Sequence, residues 1–318
     1  MTGLWIFLAV AGVLAIGALA AAYACYRIAF HAPPRIAAVN SDAIDIPEGE
    51  IYEPFREKME HWIRVTRTLP HEDMTITSFD GLTLHGRFYE YAPGAPIELM
   101  FHGYRGSAER DLSGGVQRCF KLGRSALLVD QRCSGQSDGN VITFGINEHR
   151  DCMSWLEFMT QRFGTEIPVI LTGISMGAST VMMMADKDLP PNVIGILADC
   201  GFHSAREIIR TVIRQMGIPA GLGYPFVKLG ARLFGHFDLE EGSPEESLKH
   251  SRVPVIFFHG EDDDFVPCEM SRICYEACTS RTMLVTVPCA GHGLSYPVAP
   301  AQYLDALREF FGPEASAQ

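Results

Sequence analysis

The sequence predicts an α/β protein: a doubly wound, mostly parallel sheet with a helical insertion and an N-terminal transmembrane helix. Three observations favour it. Apolar strand-like runs alternate with helix-like segments from Glu98 onward. A sharp strand-to-helix turn is indicated at Gly173–Gly177, and a long uncharged stretch begins the chain. With 318 residues, 47% of them apolar, the chain is long enough for one large domain and an accessory segment.

The first element is a predicted membrane anchor over residues 1–26, which contain no Asp, Glu, Lys or Arg. Roughly 20 apolar helical residues cross a bilayer core of about 30 Å. The alternative is a cleaved secretory signal, because Ala22-Tyr23-Ala24 is similar to a cleavage site. Such a signal has a positive N-terminal region, and no basic residue precedes this stretch. Arg27 and Arg35 follow it, so the positive-inside rule predicts a single-pass protein whose folded domain is cytoplasmic.

Residues 27–70 are predicted to form a linker followed by an amphipathic helix. Apolar residues recur there at helical spacing: Ile51, Phe55, Met59, Trp62 and Ile63. Pro70 ends this pattern. A β-hairpin follows around Asp80-Gly81, because strand-forming residues lie on both sides of a turn dipeptide. The α/β core is expected to comprise residues 71–200 and 252–314.

An insertion is predicted between these two parts of the core, over residues 201–251. About fifty residues separate two strand-like runs there. They include a helix-like stretch, Ala205 to Met216, and the apolar stretch Ile218 to Phe237. The alternative is a plain helical excursion that packs on the sheet, since its apolar residues would then be buried against the core.

Charge and cysteine content restrict the partners. The net charge of −12 argues against a nucleic-acid partner and against electrostatic attachment to an anionic bilayer. Nine cysteines cannot all pair, and their contexts are typical of reduced packing residues. Cys268, Cys274 and Cys278 lack the further ligands that a zinc site needs. We therefore expect no metal ion and no organic cofactor.

The strongest chemical signal is Gly173-Ile174-Ser175-Met176-Gly177, which follows the apolar run Ile167–Leu171. A Gly-x-Ser-x-Gly turn between a strand and a helix exposes the serine hydroxyl in a strained conformation. A side chain at either glycine would collide with the neighbouring backbone. Ser175 is the predicted nucleophile.

An acid and a histidine follow in chain order, each after another strand-like run. The run Val253–Phe258 leads into His259-Gly260-Glu261-Asp262-Asp263-Asp264-Phe265-Val266-Pro267, and a later run ends at Gly291-His292-Gly293. This order of serine, acid and histidine, over residues 72 to 312, resembles the α/β-hydrolase superfamily. The family's His-Gly-x-x-Asp-x-x-Val-Pro pattern implies Asp263 as the acid, with Asp262 and Asp264 as neighbouring alternatives. His292 would be the general base.

The resemblance also implies the groups that would bind the oxyanion. In the family, one backbone N–H belongs to the residue after the nucleophile, here Met176. The other belongs to a loop after an early strand, here His102-Gly103-Tyr104, which implies the Tyr104 N–H. His102 is expected to be structural. The stretch from Asp130 to Gly139 is similar to the family's Asp-x-Arg-x-x-Gly-x-Ser-x-Gly. There, we expect Asp130 and Arg132 to form an ion pair or a hydrogen-bond network that supports the oxyanion loop.

The expected activity is that of a membrane-anchored serine hydrolase that cleaves an ester or thioester through an acyl-enzyme. The expected partners are a small acyl ester or a short peptide and, through the N-terminal helix, the membrane. The insertion would correspond to the family's cap over the active site. A serine aminopeptidase is the alternative, with Asp238, Glu240 or Glu241 binding the substrate ammonium. A non-catalytic scaffold with the same fold is the third possibility.

Overall fold

A single mixed sheet forms the centre of the fold. The computed structural model describes residues 2–32 and 43–312. Its strands are β1 (Glu72–Thr77), β2 (Thr83–Tyr89), β3 (Ile97–Phe101), β4 (Ser125–Asp130), β5 (Val169–Ile174), β6 (Val193–Asp199), β7 (Val255–Gly260) and β8 (Thr282–Val287). Their order is β1-β2-β4-β3-β5-β6-β7-β8. β1 pairs antiparallel with β2, and β2 antiparallel with β4, whereas all other neighbours are parallel. The predicted hairpin and the mostly parallel sheet are confirmed.

Helices lie on both faces of this sheet. The α-helices of the described residues are α1 (Thr2–Ala29), α2 (Arg56–Thr68), α3 (Ala108–Lys121), α4 (Glu148–Phe163), α5 (Met176–Met182), α6 (Ala205–Gln215), α7 (Ala220–Gly230), α8 (Pro244–Leu248), α9 (Glu269–Ala277), α10 (Ser295–Val298) and α11 (Pro300–Phe311). Successive residues of β5 point to opposite faces. Ile170 packs with Tyr303 and Leu307 of α11, and Leu171 packs in the cluster that contains Trp155 of α4. Both faces are apolar because both are buried.

The segment before β1 differs from the predicted helix at its beginning. A 3₁₀ turn, Glu53–Phe55, precedes α2, because Pro54 has no N–H to continue a helical hydrogen-bond ladder. Phe55 packs near Leu294 rather than along α2. Residues 33–42, which include much of the predicted linker and Arg35, lie outside the described residues.

α1 extends three residues beyond the predicted anchor and packs on the folded domain. It is long and apolar enough to cross a membrane, with a mean hydropathy of 2.5 over its most apolar part. Its N-terminal part is exposed, whereas Ala22 and Tyr26 near its C-terminal end are buried. This end of α1 packs along α7 of the insertion. Phe30 and Ala32, which follow the helix, belong to the same apolar cluster as α6 and α7.

The insertion consists of α6, α7, a π-helical turn (Ala231–Gly235) and α8. Ile208, Ile209 and Ile213 of α6 are buried in a cluster that contains α7, the end of α1 and core residues such as Phe144 and Met176. α8 instead packs on α5 and α9, and its Leu248 is fully buried in the main core. α6, α7 and the π turn therefore form an apolar layer that packs on this part of the core.

Candidate active site

The turn between β5 and α5 places Ser175 at the carboxyl end of a central strand. Ser175 has φ 55° and ψ −119°, a left-handed conformation that is strained for a residue with a side chain. Its N–H donates to the carbonyl of Asp199 on β6 at 2.8 Å. A Cβ at Gly173 would lie 2.1 Å from the carbonyl oxygen of Gly177. The glycines are therefore required by the close approach of the backbone on the two sides of the serine.

The structure brings Ser175, Asp263 and His292 together. The Ser175 Oγ lies 2.9 Å from His292 Nε2, and His292 Nδ1 lies 2.7 Å from Asp263 Oδ2. A carboxylate only accepts hydrogen bonds, so Nδ1 carries a proton and Nε2 is free to accept the serine proton. Asp262, the neighbouring alternative, is exposed, and the ring of His292 is paired with Asp263. The geometry therefore favours the predicted acid, while the catalytic roles remain predictions.

The carboxylate of Asp263 is fixed on both oxygens. Oδ1 accepts from the N–H groups of Phe265 and Val266, at 3.0 and 2.8 Å. Oδ2 accepts from His292 and also lies 3.1 Å from His259 Nε2. Burial alone would raise the pKa of Asp263, but the hydrogen bonds from His259 and His292 outweigh it and lower this pKa to about 2. Asp263 is therefore ionised at neutral pH.

His259 is a site residue whose role the sequence reasoning missed. It is fully buried, and its Nδ1 lies 2.6 Å from the Ser271 hydroxyl. Its Nε2 lies 2.8 Å from the Val266 carbonyl, which only accepts, so Nε2 carries the proton and also donates to Asp263. The signal was present, since His259 begins the motif that contains Asp263. Its contact with Ser271, however, depends on α9, which lies outside the motif.

Two backbone N–H groups are free to bind an oxyanion. Among the described residues, no acceptor takes a hydrogen bond from the N–H of Tyr104 or of Met176. Met176 is the first residue of α5, where helical N–H groups have no partner within the helix. The N–H of Gly103 is engaged instead with Asp111 Oδ2, at 2.9 Å. The predicted donor pair therefore consists of unengaged groups.

Hydrogen bonds between buried polar groups hold the loop that contains Tyr104 in place. His102 is buried; its Nε2 accepts from the Gln131 N–H at 3.0 Å, and its Nδ1 donates to the Gly103 carbonyl at 2.8 Å. Burial lowers the pKa of His102, which favours this neutral structural form. Gln131 also donates to the His102 carbonyl at 2.6 Å. The prediction that His102 is structural agrees with these contacts.

Asp130 and Arg132 belong to two different networks, so the ion pair considered between them does not form. Asp130 accepts from the N–H of Ala108, the first residue of α3, at 3.0 Å. Arg132 pairs with Asp151 through two hydrogen bonds of 2.7 Å and with Asp80 at 3.1 Å. Their side chains diverge because Asp130 is the last residue of β4, whereas Arg132 lies in the turn that follows. Asp130 alone supports the segment after the oxyanion loop.

A cavity of about 630 Å³ adjoins Ser175 and His292. It lies between one face of the sheet and the layer formed by α2, α3 and α10. Most of its side-chain wall is apolar: Ile51, Met59, Trp62, Met100, Leu112 and Leu197 contribute to it. Its volume lies in the range of pockets that enclose small ligands, roughly 300–1,000 Å³.

The insertion does not line this cavity. Every lining residue among the described part of the chain lies outside 201–251, and the segment 47–52 contributes instead. Tyr52 in that segment donates to the His292 carbonyl at 3.1 Å. At this cavity the wall is formed by the chain that precedes α2, while the cap predicted for residues 201–251 stays a prediction.

The acids considered for an ammonium site are paired elsewhere. Glu240 accepts from Tyr224 and Lys228, and Glu241 pairs with Arg150. Asp238 accepts from the N–H of Glu240 at 3.0 Å. The acids that do line the cavity are Glu48, Glu50, Asp111, Asp199 and Asp264.

One group of potential metal ligands occurs among the described residues, and it coincides with the triad. The ligand atoms of Cys200, Asp263 and His292 lie within 4.8 Å of one another. Burial raises the pKa of the Cys200 thiol well above its usual range. The thiolate that binds metals is therefore disfavoured, and the other two side chains are already paired with each other.

Comparison with known proteins gives several relatives. No protein-family model matches the chain. An uncharacterised protein of Bacillus subtilis is 26% identical over 190 residues, which are 59% of this chain and 62% of that protein. The lysophosphatidylserine lipase ABHD12 of Danio rerio is 25% identical over 186 residues, 57% of this chain and 47% of the lipase. The solved structure of the Pyrococcus furiosus esterase Pf2001 has a TM-score of 0.62 at 20% identity, covering 78% of this chain and 92% of the esterase.

The strand order, the strand–turn–helix at Ser175 and the matching solved structures agree with one another. They show that the chain has the α/β-hydrolase fold. The predicted fold class is confirmed. The chain spans about half to three fifths of the length of the curated relatives named above.

Proposed function

We propose that this protein is a membrane-anchored serine hydrolase that cleaves a carboxylic ester or thioester with an apolar acyl group. The observation that supports it most is the continuous hydrogen-bonded series from Ser175 Oγ through His292 to Asp263, at 2.9 and 2.7 Å. The lipase and the esterase among the similar proteins agree with ester chemistry. The apolar cavity beside Ser175 is a suitable site for an acyl chain.

The geometry supports an acyl-enzyme route. As Ser175 Oγ forms a bond to the substrate carbonyl carbon, its proton moves to His292 Nε2. Asp263 stabilises the imidazolium that results. The N–H groups of Tyr104 and Met176 stabilise the negative charge on the carbonyl oxygen, each worth roughly 3–4 kcal/mol of barrier. His292 then donates its proton to the leaving oxygen or sulfur, and water releases the acyl group by the reverse transfers.

We propose that α1 is the anchor. Trp5 and Tyr23 are both exposed on this helix, and interfacial aromatic residues are typical of membrane helices. They are separated by about 27 Å at 1.5 Å per residue, close to the thickness of a hydrocarbon core. Arg27 follows the second aromatic residue, and a cytoplasmic position for the catalytic domain rests on it and on Arg35.

A fluorophosphonate probe tests the nucleophile directly, because it reacts with an activated serine. We expect labelling of the wild type, loss of labelling in Ser175→Ala, and normal labelling in Ser154→Ala, a matched change on α4. The rate of ester hydrolysis should fall by about 10⁶ in Ser175→Ala. Near-wild-type turnover by purified Ser175→Ala would contradict the assignment, and no labelling of folded wild type would favour the scaffold.

Substrate class is tested by p-nitrophenyl esters of graded chain length beside aminoacyl-naphthylamides. We expect kcat/KM to rise with acyl length until the cavity is full, and little turnover of the amides. The aminopeptidase alternative retains one favourable observation: Glu48, Glu50 and Asp264 are carboxylates at the cavity that could bind an ammonium group. A preference for the aminoacyl substrates would favour that alternative.

A further inference from the structure

The C-terminal end of α1 contacts the loop that contains the predicted oxyanion donor. The last carbonyls of a helix have no partner within it. Here the Ala29 carbonyl accepts from the Tyr104 hydroxyl at 2.8 Å, and the Ile28 carbonyl accepts from Arg105 Nη2 at 2.8 Å. The same guanidinium donates to the His31 carbonyl at 3.2 Å. The side chains of two adjacent loop residues therefore bind the end of the membrane helix.

The two loop residues that make these contacts are joined to each other, and one of them has a strained backbone. Arg105 has φ 54°, a left-handed conformation that costs a residue with a side chain roughly 1–2 kcal/mol. Its Nε donates to the Tyr104 hydroxyl at 2.8 Å, which joins the two side chains into one network. The Tyr104 ring packs on Phe144, which in turn packs on Phe30 just after α1. The backbone N–H of Tyr104 thus belongs to a segment in which two adjacent side chains, those of Tyr104 and Arg105, bind the helix end.

The helix end is itself fixed against the domain. Ala22 is fully buried, and its carbonyl lies 2.4 Å from the position that a Cβ on Gly230 would take. Tyr26 and Tyr23 pack on Phe234 of the π turn, with ring centroids 5.9 and 5.1 Å apart. Such close packing leaves α1 no room to shift along α7 without displacing its last turn.

We propose that the last turn of α1 positions the oxyanion loop, so that the membrane helix contributes to turnover as well as to location. The proposal rests on the hydrolase function proposed above. Displacement of the helix end removes the acceptors of Tyr104 and Arg105 and releases the strained loop, and the Tyr104 N–H then leaves the oxyanion position. Ile28, Ala29 and His31 take part through their carbonyls, as positioning groups remote from the substrate.

A matched pair of substitutions in α1 separates positioning from anchoring. Ala22→Leu introduces a larger side chain into the packed contact with α7, whereas Ala24→Leu makes the same change at an exposed position of the same helix. Both variants are studied as the full chain in nanodiscs. Turnover of p-nitrophenyl butyrate is measured per active site titrated with fluorophosphonate, and amide hydrogen exchange is measured for residues 102–107.

We expect Ala22→Leu to lower kcat about tenfold with KM within about twofold, and to accelerate exchange in the loop. Ala24→Leu should match the wild type in both measurements. A folded Ala22→Leu variant with wild-type kcat and wild-type exchange would overturn the proposal. So would equal losses in the two variants, because the effect would then come from the membrane segment in general.

A second variant covers the case in which Ala22→Leu fails to fold. Tyr104→Phe keeps the backbone N–H and the ring but removes the hydrogen bond to the Ala29 carbonyl. We expect a fall in kcat of about threefold to tenfold at unchanged KM, with faster exchange in the loop. Unchanged kcat and exchange would refute the coupling. A wild type without hydrolase activity would refute the proposed function. Hydrogen exchange does not require activity, so the exchange measurements would still decide whether the helix end orders the loop.

Discussion

Gly177→Ala is the sharpest test of how the turn at Ser175 is built. A Cβ at this position would lie 2.1 Å from the carbonyl oxygen and 2.5 Å from the carbonyl carbon of Phe101. Non-bonded carbon atoms approach favourably only to roughly 3.5 Å. Both groups are backbone, so no side-chain rotation relieves the contact. The start of α5 must therefore move away from the end of β3 by about 1 Å.

That movement separates the two halves of the predicted oxyanion site. Met176 lies on α5, and Tyr104 lies on the loop that follows Phe101. A misplacement of about 1 Å can reduce catalysis by roughly 10²-fold. We therefore expect kcat/KM of Gly177→Ala to fall about 100-fold, which corresponds to about 2.7 kcal/mol of barrier.

The assay is ester hydrolysis per mole of folded protein, with folding checked by circular dichroism and Tm. Gly221→Ala is the matched control, because a Cβ there has no atom within 4 Å. It should retain wild-type activity. A Gly177→Ala variant that remains folded with kcat/KM within threefold of the wild type would refute the steric reasoning.

Further predictions concern the acid of the triad and a buried ion pair. Asp263→Asn should lower kcat by about 10⁴, because the tautomer of the histidine is no longer fixed, whereas Asp262→Asn, an exposed neighbour, should be near wild type in the same ester assay. The lowered pKa of Asp263, about 2 against an ordinary value of about 3.9, implies about 2–3 kcal/mol of stability. That contribution is complete above about pH 4 and is lost as pH falls through about 2. Denaturant unfolding at a series of pH values should show that the difference in the free energy of unfolding between the wild type and Asp263→Asn shrinks between these two pH values. Glu98 is fully buried between two buried arginines, so Glu98→Gln should lower the free energy of unfolding in urea by about 3–5 kcal/mol. Glu72→Gln, which changes an exposed ion pair, should have little effect. Equal effects at Glu98 and Glu72 would contradict the role of burial.

Sequence patterns predicted those elements whose conformation is determined by residues close together in the chain. The strand–turn–helix around Ser175 was predictable because only glycine fits on each side of such a turn. The hairpin at Asp80-Gly81 was predictable from turn chemistry. The 3₁₀ turn before α2 was missed because the apolar spacing at Ile51 and Phe55 imitates a helix, while Pro54 and contacts with Leu294 determine the real conformation.

Long-range contacts could not be predicted from these patterns. The partners of Arg132 depend on how β4 approaches the β1–β2 turn and α4, which no spacing in the chain reveals. The side of the cavity formed by residues 47–52 is a similar case, since those residues lie far from Ser175 in sequence. A resemblance to a family predicted a cap there because related folds often have one.

The sequence by itself determined the class of sheet, the apolar N-terminal helix and the identity of three side chains that the structure brings into hydrogen-bonding distance. Strand periodicity, hydropathy and residue chemistry are local properties, and each can be determined from the sequence without knowledge of tertiary contacts. Only the tertiary structure decided that His259 supports Asp263, that the chain before α2 lines the cavity, and that the end of α1 binds Tyr104 and Arg105. The contact of His259 with Asp263 joins residues four apart, but its geometry is fixed by Ser271 of α9. The other contacts depend on the packing of segments distant in sequence, and packing selects among many arrangements that the same local patterns allow.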